Sequence, residues 1–220
     1  PYKERTATPR EIADYALMRA KLRGFIEKPE TVLRRYPHSD KSAPARYARA
    51  AAYFRAADLE HSLPEIDSLI AERPDYAYFW ELKGQILVES SRPKEGVPAY
   101  RKAVELAPNE PLIQASFGAA LLATEDSAVV EEAKRHLKIA IKDEPSNGMA
   151  WYYLADAYSR SGDDAMAALA TAERYYALQQ YPQAMNFSQR AQKKLKEGSN
   201  DWQRANDILS ISQSEARERR

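Results

Sequence analysis

Prolines recur at a fixed interval in the middle of this chain. Pro64 and Pro98 are 34 residues apart, and Pro74 and Pro108 are separated by the same distance. Because proline removes a helix hydrogen bond and restricts the residue before it, prolines in register indicate that one helical unit is repeated. A period of this length predicts helix–turn–helix units that pack only on their neighbours, so the core should be a thin continuous layer.

The unit that ends at Pro108 resembles the 34-residue tetratricopeptide repeat (TPR). The positions that this family reserves for Trp, a small residue, Leu or Tyr, an aromatic residue and Ala are held by Trp80, Gly84, Leu87, Tyr100 and Ala103. The same positions in the other units are held by Ala50, Tyr53, Ser62, Ile66, Leu69 and Pro74; by Gly118, Leu121, Ala133, Leu137, Ala140 and Pro145; and by Trp151, Leu154, Ala155, Tyr158, Gly162 and Ala167. Only the unit that ends at Pro145 needs a longer turn, which residues 124–130 supply.

The resemblance implies an all-α fold, a TPR-like right-handed helical solenoid of about four to five repeats with a C-terminal capping helix. We predict a TPR array at 43–198, with repeats at 43–76, 77–110, 111–147 and 148–198. The last range includes a degenerate fifth repeat, because one helix at 164–179 fits both as the end of the fourth repeat and as the start of the fifth. Residues 199–220 should form the capping helix and a charged, solvated tail, with Gly198 as a helix stop and Ser199 as the N-cap.

The N-terminal segment 1–42 is predicted to be a polar lead, left disordered at 1–7, followed by a helical pair that joins the array to an upstream domain. Thr8 is the expected N-cap of its first helix, with Pro9 at the first helical position and Glu11 completing a capping box. That helix should end at Ile26 and pack on a short helix at 29–36. Its predicted apolar face consists of Ile12, Tyr15, Met18, Leu22 and Phe25.

Turn chemistry gives two further expectations. Asp75, Asn109 and Ser146 each follow a repeat-ending proline, and we predict that they cap the next helix. Pro64 and Pro98 fall about one turn into the second helix of their units, so those helices should start late or bend there.

Composition excludes several classes of function. The 33 basic and 32 acidic residues are interspersed, which argues against binding to nucleic acid or to an anionic membrane. The sequence has no cysteine, so disulfides and thiolate metal sites are excluded. No apolar run reaches the roughly 18 residues that a membrane span needs, and no signal peptide is recognisable. Because the chain begins at Pro1, we expect a fragment from which any targeting sequence is absent.

Catalytic motifs are also missing from the sequence. It contains no His-Glu-x-x-His, no glycine-rich phosphate loop and no Gly-x-Ser-x-Gly. Glu132 and His136 are spaced as two metal ligands on a helix, but without a third ligand a solvated pair is favoured. The tyrosine pairs at 152–153 and 175–176 could stack on bases, yet without a basic track they are better explained by packing. We therefore expect no catalytic residue, metal ligand or cofactor site in this chain.

The predicted functional surface is the concave face of the array. In TPR proteins the first helix of each repeat lines that face, and an apolar floor with a few charges suits an extended peptide or a helix. The candidate peptide-binding residues are Tyr47, Phe54, Tyr78, Glu81, Gln85, Val88, Leu122, Tyr152, Asp156 and Arg160. Packing against neighbouring helices is the alternative for several of them. Binding of chaperone tails is not expected, because Tyr47 and Ala51 stand where the carboxylate clamp has Lys and Asn.

A narrower resemblance comes from the phrases at 18–25, 33–37, 45–50 and 78–87. They look like the C-terminal half of bacterial zinc metallopeptidases of the BepA (YfgC) kind, in which a zincin domain precedes a TPR array. The resemblance spans roughly residues 12–210. It implies a periplasmic location, a role in outer-membrane protein quality control, and a zinc site that lies wholly upstream of this chain. The implied partners are outer-membrane proteins, their assembly machinery or the protein's own peptidase domain.

Three functions therefore remain open from the sequence. The chain is a non-catalytic, protein-binding part of such a peptidase, a stand-alone TPR adaptor that would be cytoplasmic or in another compartment, or an enzyme with an unrecognised site. An upstream His-Glu-x-x-His and a signal peptide in the full reading frame would distinguish the first from the second. Chelator-sensitive cleavage of casein would be needed to support the third.

Overall fold

The computed structural model describes residues 6–218, and within that range the chain forms twelve α-helices and one 3₁₀ turn without a β-strand. The all-α fold class is therefore confirmed. The chain divides between Leu106 and Ala107 into two compact units. Among the described residues, no helix combines the length and apolarity that a membrane crossing requires. Part of the predicted disordered lead, 1–5, and the last two residues of the tail lie outside the described range.

The first unit contains two helical hairpins preceded by two further helices. Its helices are α1 (Pro9–Ile26), α2 (Pro29–Arg35), α3 (Ala43–Arg55), α4 (Leu59–Glu72), α5 (Ala77–Glu89) and α6 (Pro93–Leu106). The α3–α4 and α5–α6 hairpins are the first two predicted repeats. At their centre, a buried cluster that includes Tyr47, Ile66, Phe79 and Leu82 joins α3, α4 and α5.

The second unit continues the hairpins and ends in a long helix. Its elements are α7 (Pro111–Ala123), a 3₁₀ turn (Ser127–Val129), α8 (Val130–Asp143), α9 (Gly148–Arg160), α10 (Asp164–Ala177), α11 (Tyr181–Gln192) and α12 (Asn200–Glu218). The 3₁₀ turn accounts for the longer connection predicted at 124–130. Ser199 caps α12 as predicted, since its Oγ accepts a hydrogen bond from the Trp202 amide at 3.2 Å. The part of the predicted solvated tail that the structure describes, up to Glu218, is helical.

The hairpins turn through a residue in the left-handed conformation, two places after the first helix of each hairpin ends. These residues are Ala57 (φ 57°), Ser91 (φ 62°), Glu125 (φ 59°), Gly162 (φ 76°) and Gln179 (φ 56°). In four of the turns the following amide donates back to a carbonyl of the first helix; an example is Gln180 N to Tyr175 O at 2.8 Å. The recurrence at Gln179 shows that α10 and α11 form a hairpin of the same kind. α10 also packs along α9, so the packing agrees with the double role predicted for this helix, while the division into a fourth and a fifth repeat stays a prediction.

The helix α1 has the predicted ends but not the predicted packing face. Thr8 and Glu11 form the expected capping box. The buried residues of α1 are Leu17, Ala20 and Gly24, whereas most of the apolar face predicted from the sequence is exposed: Ile12, Tyr15, Met18 and Leu22. The reason is close packing on α3, because a Cβ added to Gly24 would lie 2.6 Å from the Ala51 Cβ. Small residues therefore make the closest contact with α3, and the side chains of Ile12, Tyr15, Met18 and Leu22 point away.

Turns between repeats differ from the predicted capping pattern by one residue. The N-caps are Tyr76, Glu110 and Asn147 rather than Asp75, Asn109 and Ser146, and only Asn147 caps through its side chain. Instead, a side chain in the first turn of each helix donates a hydrogen bond to the carbonyl oxygen of the proline that precedes the helix. Trp80 Nε1 donates to Pro74 O at 2.8 Å, and Trp151 Nε1 donates to Pro145 O at 2.9 Å. Gln114 Nε2 does the same to Pro108 O at 2.6 Å.

The expected late start at Pro64 and Pro98 is wrong, because both prolines lie inside helices that begin five residues earlier, at Leu59 and Pro93.

The glycines at the small-residue position of the repeats lie where two helices approach closely. A Cβ on Gly84 would lie 2.6 Å from the Tyr100 ring, and one on Gly118 would lie 2.6 Å from Leu137 Cγ.

Candidate functional site

The first-unit part of the predicted groove is covered by α1. Tyr47 is 0% exposed, and its hydroxyl donates a hydrogen bond to the Tyr78 carbonyl oxygen at 2.9 Å. The half-buried Phe54 ring meets Phe25 of α1 edge to face, with ring centroids 6.2 Å apart. Ala51 of α3 packs against Gly24 of α1. The place that the sequence assigned to a peptide on α3 is thus filled by the chain's own N-terminal helix.

A buried ion pair extends this contact from α1 to α5. Lys21 Nζ lies 2.5 Å from Glu81 Oε2, and the two side chains are only 13% and 6% exposed. Burial, followed by the nearby charge of Glu81, raises the pKa of the Tyr47 hydroxyl well above its usual value, so this group remains a neutral hydrogen-bond donor. Tyr47 and Glu81 were predicted to line an open groove, but α1 leaves neither side chain accessible to a ligand in this structure.

The other first-unit candidates, Tyr78, Gln85 and Val88, are half-buried. Gln85 Nε2 donates to Glu89 Oε1 at 2.8 Å on the same helix. Val88 faces α6, where its Cγ2 would lie 2.7 Å from a Cβ added to Gly96. A role for these three residues in binding remains a prediction.

In the second unit, three of the four candidates share one face of α9. Tyr152 is 46% exposed, Arg160 is exposed and Asp156 is half-buried. Arg160 NH2 lies 2.8 Å from Asp156 Oδ2, and its NH1 donates to the Leu122 carbonyl oxygen at 2.8 Å. The fourth candidate, Leu122, is 2% exposed, so its side chain belongs to the core and only its carbonyl touches this group.

A cleft of about 620 Å³ opens beside Tyr152. Its size is within the range of roughly 300–1,000 Å³ that is usual for ligand sites. One wall comes from α9, the floor mainly from α10 and the other wall from α11. The lining consists of Tyr152, Ala155, Asp156, Ser159, Asp164, Ala167, Ala168, Thr171, Arg174, Phe187, Arg190, Lys193 and Lys194.

Small side chains on α10 and aromatic rings at its edges give the cleft its shape. Ala167, Ala168 and Thr171 leave room along the floor. The Arg174 guanidinium lies 4.9 Å from the centre of the Tyr152 ring, and the Arg190 guanidinium lies 4.8 Å from that of Phe187. Such cation–π contacts hold a flexible arginine over a ring and reduce the entropy it loses when it binds a ligand.

Both carboxylates of the cleft are already paired. Asp156 pairs with Arg160, and Asp164 Oδ2 lies 2.6 Å from Lys194 Nζ. The hydrogen bond from Lys194 lowers the pKa of the Asp164 carboxyl. Over the described residues, Arg174, Arg190 and Lys193 have no carboxylate partner, so the cleft carries an excess of positive charge.

The cleft residues on α10 and α11 were missed in the sequence because groove positions were taken only from the first helices of four repeats. The ambiguous register of the fifth repeat hid Arg174, Phe187 and Arg190. A signal was nevertheless present, since Arg190, Lys193 and Lys194 are a basic cluster that follows Tyr175 and Tyr176. Tyr175 stacks on Phe187 with centroids 5.6 Å apart, so this tyrosine packs beside the cleft.

Glu132 and His136 lie side by side on α8 and pack against other side chains. His136 Nε2 lies 4.0 Å from Glu132 Oε1, while its Nδ1 lies 2.6 Å from Gln114 Oε1 and its ring contacts Phe117. Both side chains are mostly buried, so the predicted solvated pair is a packed one. Across residues 6–218, no group of three or more His, Asp or Glu side chains could hold a metal ion.

Comparison with known proteins shows which class of fold this is. Residues 66–169 match the family described as the cytochrome c-type biogenesis protein H TPR domain. YrrB, described as a TPR protein with an unusual peptide-binding site, aligns with a TM-score of 0.61 and 19% identity, over 85% of this chain and 94% of YrrB. MamA (MSR-1) aligns with a TM-score of 0.60 and 19% identity, over 76% of this chain and 94% of MamA. MamA (AMB-1) aligns with a TM-score of 0.57 and 18% identity, over 74% of this chain and 94% of that MamA chain.

At these identities the likeness establishes the fold alone. The chain has a TPR-like solenoid fold, as the 34-residue period predicted. No curated protein matches the chain.

Proposed function

We propose that this chain is a non-catalytic protein-interaction module that binds a peptide segment of a partner in the cleft over α10. The observation that carries the proposal is the contrast in exposure along the predicted groove. Tyr47 is sealed beneath α1, whereas Tyr152 is 46% exposed at a cleft large enough for a ligand. Exposed aromatic side chains beside a cleft are favourable anchors, because they bury a large area at a small entropic cost.

The TPR fold supports the proposal, because proteins of this fold act as interaction modules. Among the structural neighbours, YrrB is described as having a peptide-binding site. For this chain we propose a site built on α9, α10 and α11. Phe54, Tyr78, Gln85 and Val88 are not part of that site.

Selection of a random peptide library on the purified chain tests this function. Selected peptides should bind the parent chain with a Kd of about 1–100 μM, the range for a short segment. The Tyr152→Ala variant should bind them at least about tenfold more weakly, since it removes an anchor ring. The matched control is Tyr15→Ala, which removes a tyrosine that is 65% exposed on α1 and should not alter binding. Failure to enrich any peptide, or equal binding by both variants, would show that the cleft is not a binding site.

The biological setting follows from two separate similarities. The metallopeptidase-like phrases favour a role beside a periplasmic zinc peptidase, in which the module recruits outer-membrane proteins or their assembly machinery. A stand-alone adaptor fits the same structure equally well, and the match at 66–169 adds cytochrome c biogenesis as a possible setting. The parent reading frame distinguishes them, because an encoded His-Glu-x-x-His zinc motif is required only by the peptidase. Fractionation of the source cells tests the proposed periplasmic location against a cytoplasmic one.

A further inference from the structure

The cleft over α10 has a charge pattern that limits the partners it can accept. Its basic side chains are Arg174, Arg190, Lys193 and Lys194, and its acidic side chains are Asp156 and Asp164. The chain as a whole carries a net charge of only +1. The excess of positive charge is therefore local to the cleft, where it attracts a ligand of opposite sign.

Ion pairs within the cleft neutralise part of this charge. Lys194 Nζ lies 2.6 Å from Asp164 Oδ2, and Arg160 NH2 lies 2.8 Å from Asp156 Oδ2. Three cations remain without a carboxylate partner among the described residues: Arg174, Arg190 and Lys193. An arginine that is steadied by an aromatic ring can meet a carboxylate with both arms of its planar guanidinium, which is the strongest geometry for such a pair.

The apolar part of the cleft lies among these charges. Tyr152 and Phe187 flank a floor of Ala155, Ala167 and Ala168, whose short side chains leave space for a bulky group. A ligand that fills this space with an aromatic or aliphatic side chain would bury apolar area between its own charged neighbours.

We propose that the cleft over α10 binds an acidic segment of a partner protein, with about three Asp or Glu side chains around one aromatic or large aliphatic side chain. This inference rests on the proposed peptide-binding function and adds the chemistry of the ligand. An acidic peptide is favoured over a nucleic acid because Asp156 and Asp164 also line the cleft. Their carboxylates would repel a regular row of phosphates, whereas a peptide can place its charges where the free cations are.

The first experiment is an analysis of the peptides selected from the random library. Enrichment of Asp and Glu around a hydrophobic residue is the expected result. Selected peptides that depend on Tyr152 but show no acidic bias would overturn this inference and leave the proposed function standing. No selected peptides at all would overturn both.

The second experiment uses defined probes on the full chain. A labelled acidic peptide with a central Phe should bind at least about tenfold more tightly than its amide isostere, in which Asp and Glu are replaced by Asn and Gln, because three partly exposed ion pairs are lost. Binding of the acidic peptide should also weaken severalfold between about 0.05 and about 0.5 M salt, because of screening. Equal binding of the isostere would contradict the proposal, as would tighter binding of a labelled single-stranded oligonucleotide.

Reversing the charge of two cleft residues tests whether the acidic peptide binds in the cleft. The double variant R190E/K193E should bind the acidic peptide at least about tenfold more weakly. The control R135E/K142E makes the same change in net charge on α8, with exposed residues that do not line the cleft, and should change the affinity by less than about threefold. Equal losses in the two variants would mean that only the overall charge matters, and the proposed site would be rejected. Circular dichroism melts of both variants show whether each remains folded.

Discussion

The same repeat positions have different environments in the two units. If the first residue of each predicted repeat is counted as position 1, positions 5 and 9 of the first repeat (43–76) are Tyr47 and Ala51, both fully buried beneath α1. In the fourth repeat they are Tyr152, which is 46% exposed, and Asp156, which is half-buried and paired. A repeat position therefore defines where a side chain points, and the neighbouring helix decides whether a ligand can reach it.

The residues at these positions differ chemically between α3 and α9. On α3 the concave positions hold Ala51 and Phe54, which lose little by burial under another helix. On α9 the equivalent positions hold Asp156 and Ser159, which would leave polar groups unsatisfied if an apolar helix covered them. The covered positions of α3 are apolar and the open positions of α9 are partly polar, so composition at these positions helps to separate a packing face from a binding face.

The largest expected effect comes from removing the tyrosine at position 5 in each unit. Tyr47→Ala should lower the free energy of unfolding by about 3–5 kcal/mol, because it leaves a cavity between α1, α3 and α5 and removes a hydrogen bond. Tyr152→Ala should lower it by less than about 1 kcal/mol, because the ring is already near half exposed. Urea denaturation measures both values. Similar losses for the two variants would contradict the comparison between a covered and an open face.

The ion pair that joins α1 to α5 should give the next largest effect. Lys21→Met leaves the Glu81 carboxylate buried without its partner, at a cost of about 3 kcal/mol or more. The double variant Lys21→Met/Glu81→Leu should recover most of that loss, since two apolar side chains can replace a buried pair. Chemical denaturation of the single and double variants measures the difference. A single variant as stable as the parent would mean that α1 is not held by this contact.

Close packing of α1 on α3 should give a smaller loss. Gly24→Leu places side-chain atoms where the Ala51 Cβ and the Ala48 carbonyl already lie, so it should cost about 1–3 kcal/mol. Hydrogen exchange should become faster in α1 than in the α5–α6 hairpin, because the strain falls on the covering helix. Gly198→Ala is the control for replacing a glycine without a steric clash: nothing lies within 4 Å of its Cβ position, and the backbone strain from its φ of 79° falls outside α1, so hydrogen exchange in α1 should not change. Unchanged protection of α1 would refute the close contact.

The repeat architecture could be predicted from the sequence because its signals are local. Prolines in register, small residues at Gly84 and Gly118, and the capping box at Thr8 each reflect constraints within one hairpin or one helix end. The double role predicted for α10 rests on the same kind of local signal, because its residues fit both registers.

The candidate site could be predicted only in part because it depends on how separate segments pack. The sequence of α1 offers two faces, a large apolar one at Ile12, Tyr15 and Leu22 and a small one at Ala20 and Gly24. Periodicity favours the larger face, but close helix contact selects the smaller. The basic wall of the cleft was missed because α11 belongs to a repeat whose register the sequence left ambiguous.

The smallest expected effects are at the hairpin turns, where the two units should not differ. Ala57 in the first unit and Gln179 in the second are exposed residues with φ of 57° and 56°. A left-handed conformation costs a non-glycine residue about 1–2 kcal/mol, which glycine avoids while losing about 0.4–1 kcal/mol through greater freedom in the unfolded chain. Ala57→Gly and Gln179→Gly should therefore each stabilise the protein by about 0.5–1 kcal/mol.

The matching turn between α9 and α10 supplies the reverse experiment. Gly162 has a φ of 76° and open space around its Cβ position, so Gly162→Ala introduces backbone strain without a steric clash. It should destabilise the protein by about 0.5–1 kcal/mol and leave peptide binding unchanged, because no residue of this turn lines the cleft. Thermal melts of the three variants measure these shifts. Opposite signs at Ala57 and Gln179 would show that the α10–α11 connection is not a hairpin of the same kind, and the assignment of α10 to a fifth repeat would then be lost.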